Sequence, residues 1–233
     1  MQFLKKALRH LLALGFLAAL LCVCYFFLDI PLFLSSSYWQ QSYYVPLRIL
    51  SIITSPGTQL ALWSVLFLWF LVIKKNVFLS INTYPIIASM ITTNTLIRFI
   101  KIFIGRSRPE LFLHEGIYQL KLFSFERFFT SFPSGHASTF ASIFGLFAAK
   151  YPKKALLWIS AAVILSMCRV FIGAHYLSDV LFGNYLGFVF TWYFYFNQLD
   201  KEPVYLIYTK ESFLWNPLHA LRPLFNKDGR LEP

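Results

Sequence analysis

The sequence predicts an all-α, polytopic membrane protein with six transmembrane helices. Only 13% of its 233 residues are charged and 58% are hydrophobic, whereas a soluble domain carries about 25% charged residues. The mean hydropathy is +0.59. Apolar runs close to the roughly 20 residues that cross a bilayer recur along the chain. These observations exclude a disordered chain and a small secreted domain held by disulfides.

Six apolar segments are the predicted spans. The first follows the basic residues Lys5, Lys6 and Arg9, a pattern shared with signal peptides, but the segment is long and no clear cleavage site follows it. A polar, aromatic stretch at 35–45 is predicted to be a loop at the membrane interface. The predicted spans are 11–34, 59–73, 78–104, 138–149, 155–172 and 177–196.

The distribution of basic residues predicts the orientation and the partners. With the N-terminus inside, most lysines and arginines fall in cytoplasmic segments, as expected for a multi-pass membrane protein. We divide the chain into a membrane domain, 1–197, and a loosely amphipathic cytoplasmic tail, 198–233. The net charge of +11 indicates no nucleic-acid partner, because the basic residues lie between apolar runs and form no stripe along one face.

Two polar segments have the residue types that bind a phosphate. In the first, Arg108 follows Lys101 by seven residues, two helical turns, so both side chains are predicted to lie on one helix face and to reach one anion. In the second, Ser134, Gly135 and His136 immediately precede the fourth helix. Free backbone N–H groups at a helix N-terminus form a site for anions.

A third segment, containing Arg169, His175 and Asp179, completes the candidate site. If His175 opens the sixth helix, Asp179 lies at i+4 and can accept a hydrogen bond from its imidazole. Such a histidine is a competent nucleophile, and His136 can protonate a leaving oxygen. No cluster of cysteines or carboxylates suggests a metal site, so the pattern predicts phosphoryl transfer without a metal or other cofactor, with lysine and arginine neutralising the charge.

The blocks K-x6-R-P, P-S-G-H and R-x5-H-x3-D, in this order, resemble the type 2 phosphatidic acid phosphatase superfamily, the lipid phosphate phosphatases. The resemblance implies a six-helix membrane core, metal independence and a phosphohistidine intermediate. It implies that His175 is the nucleophile, Asp179 its partner and His136 the acid. The phosphate-binding residues carried over by position are Lys101, Arg108, Ser134, Gly135 and Arg169.

The sequence departs from the family pattern at one position. The family usually has serine before the arginine of the third block, and this chain has Cys168. A thiol is a weaker hydrogen-bond donor than a hydroxyl. We therefore expect a supporting contact to be lost, while the nucleophile and the phosphate-binding residues do not depend on it.

The function implied by the resemblance is hydrolysis of a phosphomonoester or pyrophosphate on an envelope lipid, with the active site facing the periplasm or cell exterior. Lipid A 1-phosphate is the favoured substrate, and undecaprenyl diphosphate, phosphatidylglycerol phosphate and phosphatidic acid stay open. A lipid transporter or flippase would also explain polar residues in membrane helices, but it should place them near mid-span. A vanadate-dependent haloperoxidase has a related pocket, but that class is soluble.

Simpler structural explanations exist for each segment taken alone. Lys101 and Arg108 could be snorkelling anchors at the membrane boundary, and Ser134 a helix cap. These explanations predict no fixed spacing between segments, and the spacing favours one site. The loop at 110–132 is predicted to be either an aromatic interfacial belt or a rim that admits a lipid headgroup. Gly183-x-x-x-Gly187 is predicted to serve helix packing.

Overall fold

A computed structural model of the chain describes residues 2–75 and 77–199. This part of the chain is helical, and it contains no strand longer than an isolated bridge between Arg106 and Leu120. A π-helical turn at Cys24–Leu28 joins the first two helices, and another at Trp69–Ile73 extends the third. The α-helices are α1 (Gln2–Val23), α2 (Asp29–Ile53), α3 (Pro56–Leu68), α4 (Val77–Ile104), α5 (Pro109–Glu115), α6 (Gly135–Lys150), α7 (Ala155–Ser166), α8 (Cys168–Phe171) and α9 (Leu177–Leu199).

Four helical segments of the described chain are long and apolar enough to cross a membrane. They correspond to the first, second, third and fifth predicted spans, and they are Leu11–Ser37, Pro56–Ile73, Asn82–Ile104 and Pro152–Phe171. The fourth and sixth predicted spans fall on α6 and α9, which are not among these four. Helix α6 has only 16 residues, and both helices bury hydroxyl or amide side chains inside the protein. Six spans therefore stay a prediction. The predicted tail lies, apart from residues 198 and 199, outside the described residues.

The predicted interfacial loop at 35–45 is wrong, because α2 runs through it without interruption. The serine hydroxyls there bond within the helix: Ser36 Oγ donates to the carbonyl of Phe33 and Ser37 Oγ to that of Leu34, each at 2.8 Å. A hydroxyl that bonds one turn back is satisfied without leaving the helix. A polar stretch of this kind is therefore compatible with a continuous helix.

The centre of the protein is a packing of α4, α6 and α9 with small polar residues at the contacts. Ser89 of α4 and Ser142 of α6 share a hydrogen bond of 2.9 Å between their hydroxyls, and Thr191 of α9 donates to the carbonyl of Ser142 at 3.2 Å. The outward faces of α1, α3 and α7 instead expose large apolar side chains such as Val65 and Ile164. This arrangement suits helices that face lipid outside and pack through small residues inside.

Two glycines of α9 allow its backbone to approach that of α6. A Cβ built on Gly183 would lie 3.1 Å from the Cβ of Ala137, and one on Gly187 would lie 2.6 Å from the Cβ of Ala141. Both would also overlap carbonyl oxygens of α6. The prediction that this glycine pair serves helix packing is confirmed.

Replacing Gly187 by alanine is therefore expected to destabilise the protein, even though alanine is the better helix former by about 1 kcal/mol. Forcing an extra carbon into a packed contact costs about 1–3 kcal/mol. The matched control is Gly15→Ala in α1, where an added Cβ meets nothing within 4 Å. Thermal unfolding in detergent should show a lower midpoint for Gly187→Ala and an unchanged or higher one for Gly15→Ala. Equal midpoints for the two variants would contradict the close contact.

Candidate functional site

The predicted helix carrying both Lys101 and Arg108 is interrupted between them. Helix α4 ends at Ile104, and Gly105 adopts a left-handed conformation with φ of +56°. Its backbone lies so close to the carbonyl of Lys121 that a Cβ would overlap it. Arg108 is extended and immediately precedes α5. The prediction that the two side chains share one helix face is thus wrong, and they approach the site from two elements.

The structure nevertheless brings most of the predicted site together around one cavity. This cavity, which we call the inner cavity, has a volume of about 280 Å³. It lies where the C-terminal end of α4, the N-terminal end of α6 and the chain before α9 meet. Six of the eight predicted residues line it: Lys101, Arg108, Gly135, His136, Arg169 and His175.

Three cations of the inner cavity are held by neutral groups. Lys101 Nζ donates to the carbonyl of Thr130 at 2.5 Å, and Arg108 Nη2 donates to Thr130 Oγ1 at 3.1 Å. Arg169 donates to Ser51 Oγ of α2. Within the described residues none of the three forms an ion pair. Their positive charge is uncompensated, which is the electrostatic environment that a phosphate requires.

Ser134 and Gly135 take different positions at the start of α6. Ser134 is fully buried; its Oγ caps the helix by accepting from the N–H of Ala137 at 3.4 Å, and its own N–H donates to the carbonyl of Asp179 at 3.0 Å. Gly135 lines the inner cavity, but Ser134 does not. Ser134 therefore ties α6 to α9, and its predicted contact with phosphate stays a prediction.

His136 lies at the boundary between the inner cavity and a second, larger cavity. Its Nε2 is 3.1 Å from the carbonyl oxygen of Ser51. Because a carbonyl only accepts, this contact requires the proton on Nε2. The same α2 residue thus positions two members of the site, since its hydroxyl holds Arg169 and its carbonyl holds His136.

His175 and Asp179 are neighbours, but they are not hydrogen-bonded. Helix α9 begins at Leu177, where the sixth predicted span begins, so His175 precedes the helix and does not open it. His175 Nδ1 lies 3.6 Å from Asp179 Oδ2, longer than a hydrogen bond. That oxygen already accepts from Ser131 Oγ at 2.6 Å and from the N–H of Tyr176 at 2.9 Å. The two side chains therefore lie close together as predicted, but the predicted hydrogen bond between them is absent, and Ser131 and the N–H of Tyr176 orient the carboxylate.

Burial lowers the pKa of His175 well below its usual value, and the cations Lys101 and Arg169 act in the same direction. The side chain is only 3% exposed. The imidazole is consequently neutral near pH 7, the form in which a ring nitrogen carries a free lone pair.

Arg106 is a central residue to which the sequence patterns assign no role. It is 2% exposed, and its guanidinium donates to Asp179 Oδ1 at 2.5 Å and to Asp29 Oδ2 at 2.6 Å. Asp29 in turn accepts from the N–H and hydroxyl of Ser178. A signal for this network does exist in the sequence, because Asp29 is an ionisable residue inside an apolar span, and such residues are commonly functional.

Three tyrosine rings surround the Arg106 guanidinium. Its central carbon lies 4.9, 5.3 and 4.5 Å from the ring centroids of Tyr25, Tyr118 and Tyr176, within the range of cation–π contacts. Burial alone would lower the pKa of Arg106, but Asp179 and Asp29 raise it above its usual value. This arginine is a permanent positive charge that two buried carboxylates share.

The remaining predictions concern Cys168, the 110–132 loop and a metal. Cys168 is buried in an apolar cluster with Phe140 and Ala162, and it lines neither cavity. The 110–132 segment contains most of α5 and exposes aromatic side chains such as Phe125, so both interpretations of it stay open. Within residues 2–75 and 77–199, no group of three or more histidine, cysteine, aspartate or glutamate side chains could hold a metal ion.

Comparison with known proteins identifies the family. The sequence profile of the PAP2 superfamily matches residues 82–202, just over half of the chain, and this segment contains all three motif blocks. The chain belongs to the PAP2 superfamily. The resemblance predicted from the three blocks is thereby confirmed.

Curated relatives include two lipid A 1-phosphatases, from Rhizobium etli and Rhizobium johnstonii. Each is 38% identical over 99 residues, which is 42% of this chain and 43% or 41% of the relative. The chain thus matches less than half the length of either relative. The crystal structure of Aquifex aeolicus LpxE superimposes with a TM-score of 0.53 over 75% of this chain and 96% of that chain, at 20% identity. This likeness confirms the predicted PAP2-like helical core.

Removing the charge of Arg106 is expected to be severe, because it leaves two carboxylates buried without a counter-charge. Breaking a buried ion pair from one side costs about 3–5 kcal/mol, so Arg106→Met should unfold at a much lower temperature than the wild type. The control is Lys121→Met, which breaks an exposed pair with Glu126 worth about 0–1 kcal/mol. Thermal unfolding in detergent compares the two variants. Similar unfolding midpoints would show that the charge of Arg106 does not stabilise the buried carboxylates.

Acidification should destabilise the fold through His175. The pKa of His175 is lowered in the folded protein. Below about pH 6.5 the imidazole is therefore protonated in the unfolded chain but stays neutral in the folded one, so stability is lost as pH falls. Between pH 7.5 and 5.5 this contributes at most about 1.4 kcal/mol. Unfolding midpoints at the two pH values should therefore shift less for His175→Asn than for the wild type. An identical shift in both proteins would show that His175 is not buried in its neutral form.

Proposed function

We propose that this chain is a membrane-embedded lipid phosphatase that releases phosphate from an envelope lipid. The observation that carries the proposal is the inner cavity, in which the uncompensated cations Lys101, Arg108 and Arg169 surround the neutral imidazole of His175. Membership of the PAP2 superfamily supports it, as do the lipid A 1-phosphatases among the relatives.

Binding of the phosphate comes first. Lys101, Arg108 and Arg169 approach from three elements, so they can contact different phosphate oxygens at once. The free N–H groups at the start of α6 add donors from the side of Gly135. As the phosphoryl group is transferred, negative charge shifts onto the equatorial and leaving oxygens, and these fixed cations stabilise it without rearrangement.

The chemical step is attack by His175 on phosphorus. Because Nδ1 faces the Asp179 carboxylate, Nε2 is the nitrogen that forms the N–P bond as the bond from phosphorus to the lipid oxygen breaks. Asp179 stabilises the positive charge that develops on the imidazole. Burial and the neighbouring Arg169 lower the pKa of His136 to about 3 in the free protein. The negative charge of the bound phosphate raises this pKa, and the protonated His136 then donates its proton to the departing lipid oxygen.

The second step regenerates the enzyme. Water attacks the phosphohistidine while His136 accepts its proton; the N–P bond breaks, and inorganic phosphate leaves. Lysine and arginine provide the charge stabilisation throughout, so no metal is required. The carboxylate of Asp179 keeps its orientation during both steps through Ser131 and the N–H of Tyr176.

Lipid A phosphorylated at position 1 is the substrate we favour, on the basis of the relatives' activity. Undecaprenyl diphosphate, phosphatidylglycerol phosphate and phosphatidic acid are the alternatives. The site residues lie at helix ends, near the end of α4 and the start of α6, which favours a phosphatase over a transporter with a mid-span site. Lys74, Lys75 and the lysines at 150–154 mark the opposite helix ends, so we propose a periplasmic active site in the inner membrane.

Phosphate release by the detergent-purified protein tests the proposal. Wild type and His175→Ala are incubated with each of the four lipids in the presence of EDTA. We expect release from one lipid that survives EDTA and falls by about a thousandfold or more in the variant, because the nucleophile is gone. Lys153→Gln, outside both cavities, should match the wild type.

Each part of the proposal can fail separately in this assay. Activity that EDTA abolishes would contradict metal independence, and activity retained by His175→Ala would contradict the nucleophile. An absence of release from all four lipids would contradict the phosphatase function.

A further inference from the structure

A second cavity of about 530 Å³ adjoins the inner cavity on its outer side. We call it the outer cavity. The two cavities share Arg108, His136 and Arg169 in their walls, so they are direct neighbours. A volume of this size lies within the roughly 300–1,000 Å³ typical of ligand sites, and it is larger than a single phosphate group needs.

The outer cavity adds two further guanidinium groups to the two that it shares with the inner cavity. Arg48 comes from α2, where its Nη1 donates to the hydroxyl of Tyr44 at 2.7 Å. Arg127 comes from the 110–132 loop. Within the described residues neither of them forms an ion pair. Glu110 is the one carboxylate in the described lining, so four arginines face a single acid.

This charge exceeds what one phosphate monoester can neutralise. A phosphate monoester carries at most about two negative charges, and the inner cavity is already lined by four cations, Arg98, Lys101, Arg108 and Arg169. Arg48 and Arg127 are exposed to the outer cavity, and arginine is the side chain best suited to planar recognition of phosphate or carboxylate. The excess of positive charge therefore indicates that the ligand has a second anionic group, which lies outside the inner cavity that holds the reacting phosphate.

The other lining groups indicate what carries that second anion. The hydroxyls of Ser51 and Tyr44 accept from Arg169 and Arg48 and can still donate to a ligand, and Glu110 presents a carboxylate that can accept from sugar hydroxyls. Ile52 and Leu113 add apolar surface. A phosphorylated saccharide suits this combination of hydroxyls, one carboxylate and apolar surface beside arginines. A glycerol headgroup suits it less well, because it would leave most of the cavity empty.

We infer that the outer cavity is a headgroup subsite in which Arg48 and Arg127 bind a second phosphate of a saccharide headgroup while the first phosphate occupies the inner cavity. The inference rests on the proposed function for the identity of the reacting phosphate. It makes these arginines determinants of specificity: the protein prefers a glycolipid phosphorylated at both ends of its headgroup over a lipid with the scissile phosphate alone.

The test compares two substrates that differ in one group. One is a glucosamine-disaccharide lipid with a phosphate at each end, and the other is the same lipid keeping only the scissile phosphate. We expect the wild type to have the higher kcat/KM for the doubly phosphorylated lipid. In the double variant Arg48→Gln/Arg127→Gln the ratio of the two kcat/KM values should fall about 10- to 100-fold, the loss of one or two charge-assisted hydrogen bonds. Lys153→Gln should keep the wild-type ratio.

An unchanged ratio overturns the inference, whether both rates fall together or neither changes, because the arginines then do not recognise the second phosphate. If the wild type releases phosphate from neither lipid, the favoured substrate of the proposed function is wrong, and binding decides the inference instead. The dissociation constants of the two lipids for wild type and double variant are then measured in detergent micelles. Selective weakening for the doubly phosphorylated lipid supports the subsite, and equal weakening or none overturns it.

Discussion

Arg106 lies between the carboxylates of Asp29 and Asp179, and these two ion pairs connect α2, the end of α4 and α9. Such a pair of buried carboxylates is costly to desolvate. Here the cost is offset by short, well-aligned contacts of 2.6 and 2.5 Å and by three surrounding aromatic rings. The carboxylate beside the proposed nucleophile is consequently ionised and fixed in position, and the remainder of the site is built around it.

The site contains two kinds of cation with opposite electrostatic environments. Arg106 is fully compensated by acids, so it orients the protein and does not attract a ligand. Lys101, Arg108 and Arg169 are bonded only to hydroxyls and carbonyls within the described chain, so their charge acts on the cavity. This separation explains how the protein keeps a positive field in the cavity while its buried carboxylates have a counter-ion of their own.

Most of the site could be predicted from the sequence, because residues in the motif blocks lie close along the chain to the turns that position them. The spans whose outer faces meet lipid were recognisable for the same local reason. The long-range ion pair could not be predicted, since nothing in the sequence near Asp29 indicates that Arg106 is its partner. The break after Ile104 was also missed, although Gly105 is a residue that commonly ends a helix. The inward-facing α6 and α9 were located as apolar segments, but their buried polar residues keep hydropathy from deciding whether they cross the membrane.

The two ion pairs of Arg106 span nearly equal distances along the chain, 77 residues back to Asp29 and 73 forward to Asp179. During synthesis, Asp29 therefore enters the bilayer well before its counter-ion, and Asp179 arrives last, together with His175. A nascent chain can form the first pair, but it has no nucleophile until α9 is in place. Until then Arg106 has only one of its two acidic partners, so the helix that follows His175 is also the one that completes the buried charge network.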